Sequence, residues 1–167
     1  MHVVARTALG LCLGGLLAGG ASAQEQSLDG LLASLNQRLQ QNSYRDYDGK
    51  HTTSQVRLPG DGSIVVEITK QMAENEVTNV YVASVRELDL TRIAARQRED
   101  HTSLSLGAQG QVSVTLRCVT RGGPTHEWGL PATRELVVEF RADPALASEL
   151  TQEFRELIRR ARRQSTG

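Results

Sequence analysis

The chain has 167 residues, 39% hydrophobic and 23% charged, with 19 basic and 19 acidic side chains. That is the length and composition of one globular domain, neither disordered nor fibrous. Zero net charge supplies no field for a polyanion and argues against a dedicated nucleic-acid binder, and an aromatic content of 4% leaves few stacking surfaces.

Residues 1–23 read as an export signal. His2 and Arg6 give a weakly basic start, Ala8 to Gly20 is an apolar and glycine run, and Ala21-Ser22-Ala23 is a small-x-small cleavage pattern before Gln24. The run is shorter than the ~20 residues that a bilayer span requires. Cleavage there, rather than retention as an anchor, sends the chain to the periplasm or outside the cell. Cys12 leaves with the signal and Cys118 remains alone, so an internal disulfide is not expected.

A helix is predicted in residues 24–43. Ser27 caps it, Leu28, Leu31, Leu32, Leu35 and Leu39 form one stripe, and Asn42 and Ser43 close it. Residues 44–167 then read as an antiparallel sheet with a terminal helix. Period-two segments are expected at Thr53–Leu58, Ser63–Thr69, Val77–Ala83, Arg86–Ile93, His101–Leu106, Gln111–Val119 and Thr133–Arg141. Pro59-Gly60-Asp61-Gly62 is a turn signal, Lys70–Glu76 reads as a loop, and Ala94–Asp100 reads as a solvated connection. Gly107-Ala108-Gln109-Gly110 reads as a hairpin turn, and Arg121–Pro131, with three Gly and two Pro, reads as a loop.

The last element has the strongest pattern. Asp143 is a cap, Pro144 suits the first helical position, and Leu146, Leu150, Phe154, Leu157, Ile158 and Ala161 share one face. Glu149 and Glu153 come early, and Arg155, Arg159, Arg160, Arg162 and Arg163 come late, an order that complements the helix dipole. Strands follow one another without intervening helices, so a parallel crossover sheet is not expected. The predicted class is α+β: about seven antiparallel strands in a partly closed sheet or barrel, capped by a C-terminal amphipathic helix, with an additional N-terminal helix.

That plan resembles the pleckstrin-homology-like superfold. The phrase LxxxFxxLIxxA at Leu150–Ala161, and VSVTLRCVTRGG at Val112–Gly123, are similar to segments of uncharacterised exported bacterial domains. The resemblance covers residues 44–163. It departs from classical members in having no Trp in the final helix, where Phe154 takes that packing role. Lys50 and Arg57 are isolated, so the basic lipid-headgroup motif has no match. The resemblance implies a fold and no ligand.

Candidate chemistry is sparse. His51, His101 and His126 lie in separate segments, and His126-Glu127-Trp128 contains no HExxH pattern, so neither a metal nor another cofactor is expected. Cys118 is in phase with Val112, Val114 and Leu116, which reads as a small buried hydrophobe; the other reading is a nucleophile served by a histidine. Asp100-His101, and Asp46 with Asp48, read as solvated groups without partners.

The stretch Arg121 to Trp128 is the most suggestive, with Arg121, His126, Glu127 and Trp128 as candidate binding residues. An exposed Trp128 would be an anchor. Folding back to plug an open barrel end would remove ~200 Å² from water, which favours the plug. The late arginines read as a solvated face, with peripheral membrane contact through Arg159, Arg160, Arg162 and Arg163 as the other reading. The expected function is a small exported non-enzymatic binding or interaction domain of the cell envelope, with a protein or peptide as ligand. The alternatives are an exported hydrolase or thiol enzyme using Cys118 with a histidine, and a membrane-surface module using the Arg-rich helix.

Overall fold

The structure, a computed structural model, describes residues 27–165; residues 1–23, expected to be an export signal, and the residues up to Gln26 lie outside the described residues. The architecture is α+β, two helices and seven antiparallel strands in a curled half-barrel sheet. No helix among the described residues is long and apolar enough to cross a membrane.

The helices follow their stripes. α1 (Leu28–Gln41) starts where Ser27 Oγ accepts from the Gly30 N–H at 3.1 Å, and it buries Leu31, Leu35 and Leu39. α2 (Pro144–Gln164) starts where Asp143 Oδ1 accepts from the Ala145 and Leu146 N–H groups at 3.0 and 3.1 Å. It buries all six predicted stripe residues, together with Ala147. Phe154 and Phe140 are the largest fully buried side chains. Each such burial contributes about 2–3 kcal/mol. Glu149 and Glu153 do more than complement a dipole: both pair with Arg38 of α1, tying the helices together.

The strands are β1 (Tyr44–Arg45), β2 (His51–Arg57), β3 (Ser63–Gln71), β4 (Asn75–Ser84), β5 (Leu88–Gln97), β6 (His101–Thr120) and β7 (Thr125–Arg141). The number of strands agrees with expectation, but their bounds differ in five places. β1 has only two residues, too few for a periodic signal. The polar stretch Lys70–Glu76 is mostly strand, and Met72 to Glu74 alone make the turn, closed by Met72 N–H to Asn75 O at 2.8 Å. β5 runs on through Ala94–Gln97, which had read as a solvated connection. The expected hairpin at Gly107–Gly110 does not exist, because β6 passes straight through it, and the expected loop at Arg121–Pro131 is strand from Thr125 onward.

The two glycines in β6 explain the misreading. A Cβ on Gly107 would lie 2.9 Å from Arg92 Cβ and 3.3 Å from the Arg92 carbonyl oxygen, and one on Gly110 would overlap the Glu87 carboxylate. Glycine here permits close approach of the neighbouring strand, not chain reversal. β4 and β5 lie end to end along one flank of β6: β4 pairs with Ser113–Thr120 and β5 with Thr102–Ala108. Between them the chain jogs at Val85–Glu87. The β6–β7 register slips at the same level, between Gly107 and Val114. Pro131 lies on β7 at this slip, a position that needs no ladder N–H. The β4-to-β5 jog and the β6–β7 register slip therefore fall at one level of the sheet.

The bend divides β7. Its second half curls back towards β2, where Ser54 Oγ donates to Glu139 O at 2.7 Å and accepts from Glu139 N–H at 3.1 Å. One hydroxyl closes the half-barrel in place of a ladder. Nearby, the Arg141 N–H donates to Asn42 O at 2.7 Å. Side chains also cover other strand edges. The Asn36 amide bonds both Val56 O and Val56 N–H at 2.8 Å. Arg162 of α2 donates to Val85 O at 2.8 Å and to Leu88 O, and Arg155 donates to Leu90 O.

The bend makes Gly107 and Gly110 unequal. Besides the movable Arg92 Nε, Gly107 is crowded by the Arg92 Cβ and carbonyl oxygen, which shift only with the strand, whereas the Glu87 carboxylate beside Gly110 can swing aside. Gly107→Ala should lower stability by about 1–3 kcal/mol, while Gly110→Ala should change it by under ~1 kcal/mol. Denaturant unfolding of the two variants measures this; equal losses would contradict the packing described.

Candidate functional site

Residues opposite each other in a ladder share a face. On one face of the sheet, Val66 of β3 pairs with Tyr81, Tyr81 with Val114, and Val114 with Leu130. The next row runs Ile68, Asn79, Leu116, Trp128, and the next Lys70, Val77, Cys118, His126. Val66 and Ile68 are core residues, so these rows continue the inner face of the half-barrel. α2 lies against β5 and β6, and α1 against β2. The rows run out beyond this cover: Trp128 is 49% exposed and Leu130 41%. The plug expected for Trp128 is therefore not formed, because Trp128 belongs to a strand that extends away from the closed half of the sheet.

His126 stacks on Trp128 with ring centroids 5.7 Å apart. Glu127 points to the opposite face, where its Oε1 accepts from Arg117 Nε at 2.7 Å. Arg117 also reaches Glu67 at 3.6 Å, and Glu67 pairs with Arg57 at 2.7 Å. Arg121 is separate from these three. Its N–H donates to Glu74 O at 2.9 Å, and it lines an open groove of about 440 Å³ with Gln71–Glu76 and Val119. The structure thus brings Trp128 and His126 together on one face, places Glu127 on the other, and leaves Arg121 at the strand end.

Cys118 is half-buried, not a core residue, because its row lies outside the helical cover. It pairs in register with His126, but no hydrogen bond joins the two side chains among the described residues. The same residues contain no group of three His, Cys, Asp or Glu placed to hold a metal ion.

A second cluster was not visible as such in the sequence. Tyr44 donates to Glu139 Oε2 at 2.7 Å and stacks on His101 at 4.9 Å. Burial and the Glu139 carboxylate push the Tyr44 hydroxyl up, which keeps it protonated as the donor. His101 Nδ1 lies 2.6 Å from Asp100 Oδ1, and His51 Nε2 lies 2.9 Å from Ser43 Oγ. Asp46 accepts from the Asp48 and Lys50 N–H groups, and Asp48 pairs with Lys50 Nζ at 3.0 Å. The acids expected to be unpartnered therefore all have partners. The groove alongside, about 440 Å³, carries both signs of charge, with Lys50, Lys70 and Arg98 facing Asp46, Glu99 and Asp100.

The late arginines are also engaged in the fold. Arg162 holds the jog between β4 and β5, and Arg159, Arg160 and Arg163 all lie within 4.0 Å of Glu156.

Burial pushes the Asp100 carboxyl up, but the hydrogen bond and charge of His101 together with backbone N–H groups outweigh this and hold it below the usual carboxylate range. A carboxylate depressed in the fold stabilises above its unfolded pKa of about 4 and loses that contribution as pH falls through the folded value. Stability should accordingly fall on acidification below about pH 5, and less steeply in Asp100→Asn. Denaturant midpoints across this range measure it; identical acid slopes would show that the Asp100–His101 pair contributes nothing.

Comparison with family models, with curated proteins and with solved structures finds no match to this chain.

Proposed function

We propose that the protein is a non-enzymatic binding module that takes up an extended segment of another polypeptide along the first half of β7, with Trp128 as anchor. The observation that carries this reading is the half-exposed Trp128 on a strand whose outer edge has no partner strand among the described residues. A strand added to such an edge gains main-chain hydrogen bonds for affinity, while alternate side chains meet the two faces and set specificity. Trp128, Leu130 and the stacked His126 would meet one face of the ligand, and the Arg117–Glu127 pair the other. Tryptophan is over-represented among residues that dominate binding energy.

The export signal read at residues 1–23 makes a protein or peptide of the cell envelope, in the periplasm or outside the cell, the natural ligand. The resemblance to the pleckstrin-homology-like superfold, a binding fold in its classical members, supports the same class of function. No specific feature favours a membrane-surface role, since Glu156 and two backbone carbonyls already engage the last arginines.

The test is capture of a partner from native envelope extract by the wild-type chain and by Trp128→Ala. Because Trp128 is half exposed, the variant should keep the wild-type circular dichroism and denaturation midpoint. Removing an anchor of this kind costs ~2 kcal/mol or more, so capture should weaken by about thirtyfold. Unchanged capture by a folded variant would show that this edge is not the site.

A further inference from the structure

The free edge of β7 is unusual within this molecule. β2 is covered by Asn36, the start of β5 by Arg155 and Arg162, and the second half of β7 by Ser54 and Asn42. The rest of β5 carries Arg92 and Arg96, and charges of this kind discourage strand addition. Among the described residues, Thr125–Leu130 has none of these protections. Its single charge, Glu127, is paired with Arg117 on its own sheet, and its Trp128 and Leu130 are exposed.

We infer that this edge pairs antiparallel with the same edge of a second copy of the chain, about a two-fold axis at Trp128. This rests on the reading of β7 as a docking edge and names its partner. The register of the segment on itself supplies the support. With Trp128 opposite Trp128 of the second copy, His126 falls opposite Leu130 and Glu127 falls opposite Gly129. Aromatic meets aromatic, the other inner-face positions meet apolar side chains, and no like charges meet. Glu127 faces the one residue with no side chain to crowd it, and a Cβ built on Gly129 finds nothing within 4 Å. Pro131 has no N–H to give and ends the pairing. A two-fold contact is closed, so the edge is consumed and no filament grows.

The chain contains one Trp, so its emission reports this contact alone. Sedimentation of the purified chain from low micromolar to near-millimolar concentration should show a monomer passing to a dimer. A blue shift of Trp emission and a Trp–Trp exciton couplet in circular dichroism should accompany it. The open space at Gly129 allows the register to be tested by charge. Gly129→Lys, which sets Lys opposite Glu127, should tighten the dimer by roughly fivefold, and Gly129→Glu should loosen it by a similar factor. Monomer at every concentration, with unchanged emission, overturns the inference. So does a dimer indifferent to the charge at position 129. Capture of an envelope partner through Trp128 is measured at a chain concentration below the dimer range, where the edge is free, so the two readings fail separately.

Discussion

The close approach of Arg92 to Gly107 shapes the rest of the molecule. A side chain on residue 107 would push β5 away from β6 at the level where β4 jogs into β5 and β7 passes Pro131. The β4-to-β5 jog and the β6–β7 register slip fall at the same level of the sheet, while β6 itself runs through unbroken. The core lies between α1, α2, β2, β3, β5, β6 and the second half of β7. The first half of β7 and the end of β6 beside it extend beyond this cover. Trp128 and Leu130 are exposed for this reason, although they occupy the same face as buried Val66 and Ile68.

A second feature follows from the bend. A curled sheet that does not close by a full ladder leaves backbone groups along its edges, and buried ones are costly to leave unpaired. This chain satisfies them with side chains: Ser54 at Glu139, Asn36 at Val56, and Arg162 at Val85 and Leu88. These contacts also explain the skewed charge pattern of α2. The late arginines read from sequence as a solvated face, but Arg162 acts as a clamp on the sheet and Arg160 bonds Glu156 at 2.6 Å. The edge left open, at the start of β7, is where the functional proposal lies.

Both helices were legible in the sequence because their signals are local. Ser27 and Asp143 act as caps, and the Leu stripe of α1 and the Leu-Phe-Ile stripe of α2 bury as their spacing predicts. The strands were legible where period two was unbroken, as in Ile64-Val66-Ile68 and Leu136-Val138-Phe140. They were misread at glycine and proline, since a glycine that admits a neighbouring strand has the same local signature as one that reverses the chain. Gly107 and Gly110 are of this kind, whereas Gly129, with open space around it, and Pro131 are turn-type residues that lie within a strand. The residue types at the candidate site were legible, yet their exposure was not, because it depends on how far α2 reaches. The Tyr44–Glu139 and Ser54–Glu139 contacts join positions 95 and 85 residues apart and have no local signal at all.

Amide hydrogen exchange along β7, at a concentration where the chain is monomeric, tests the division of this strand most directly. The account predicts protection close to the global stability at Leu136, Val138 and Phe140. Outward amides between Thr125 and Leu130 should exchange orders of magnitude faster. Uniform protection from Thr125 to Arg141 would mean that β7 has no free half, and would contradict both the bend and the site built on it.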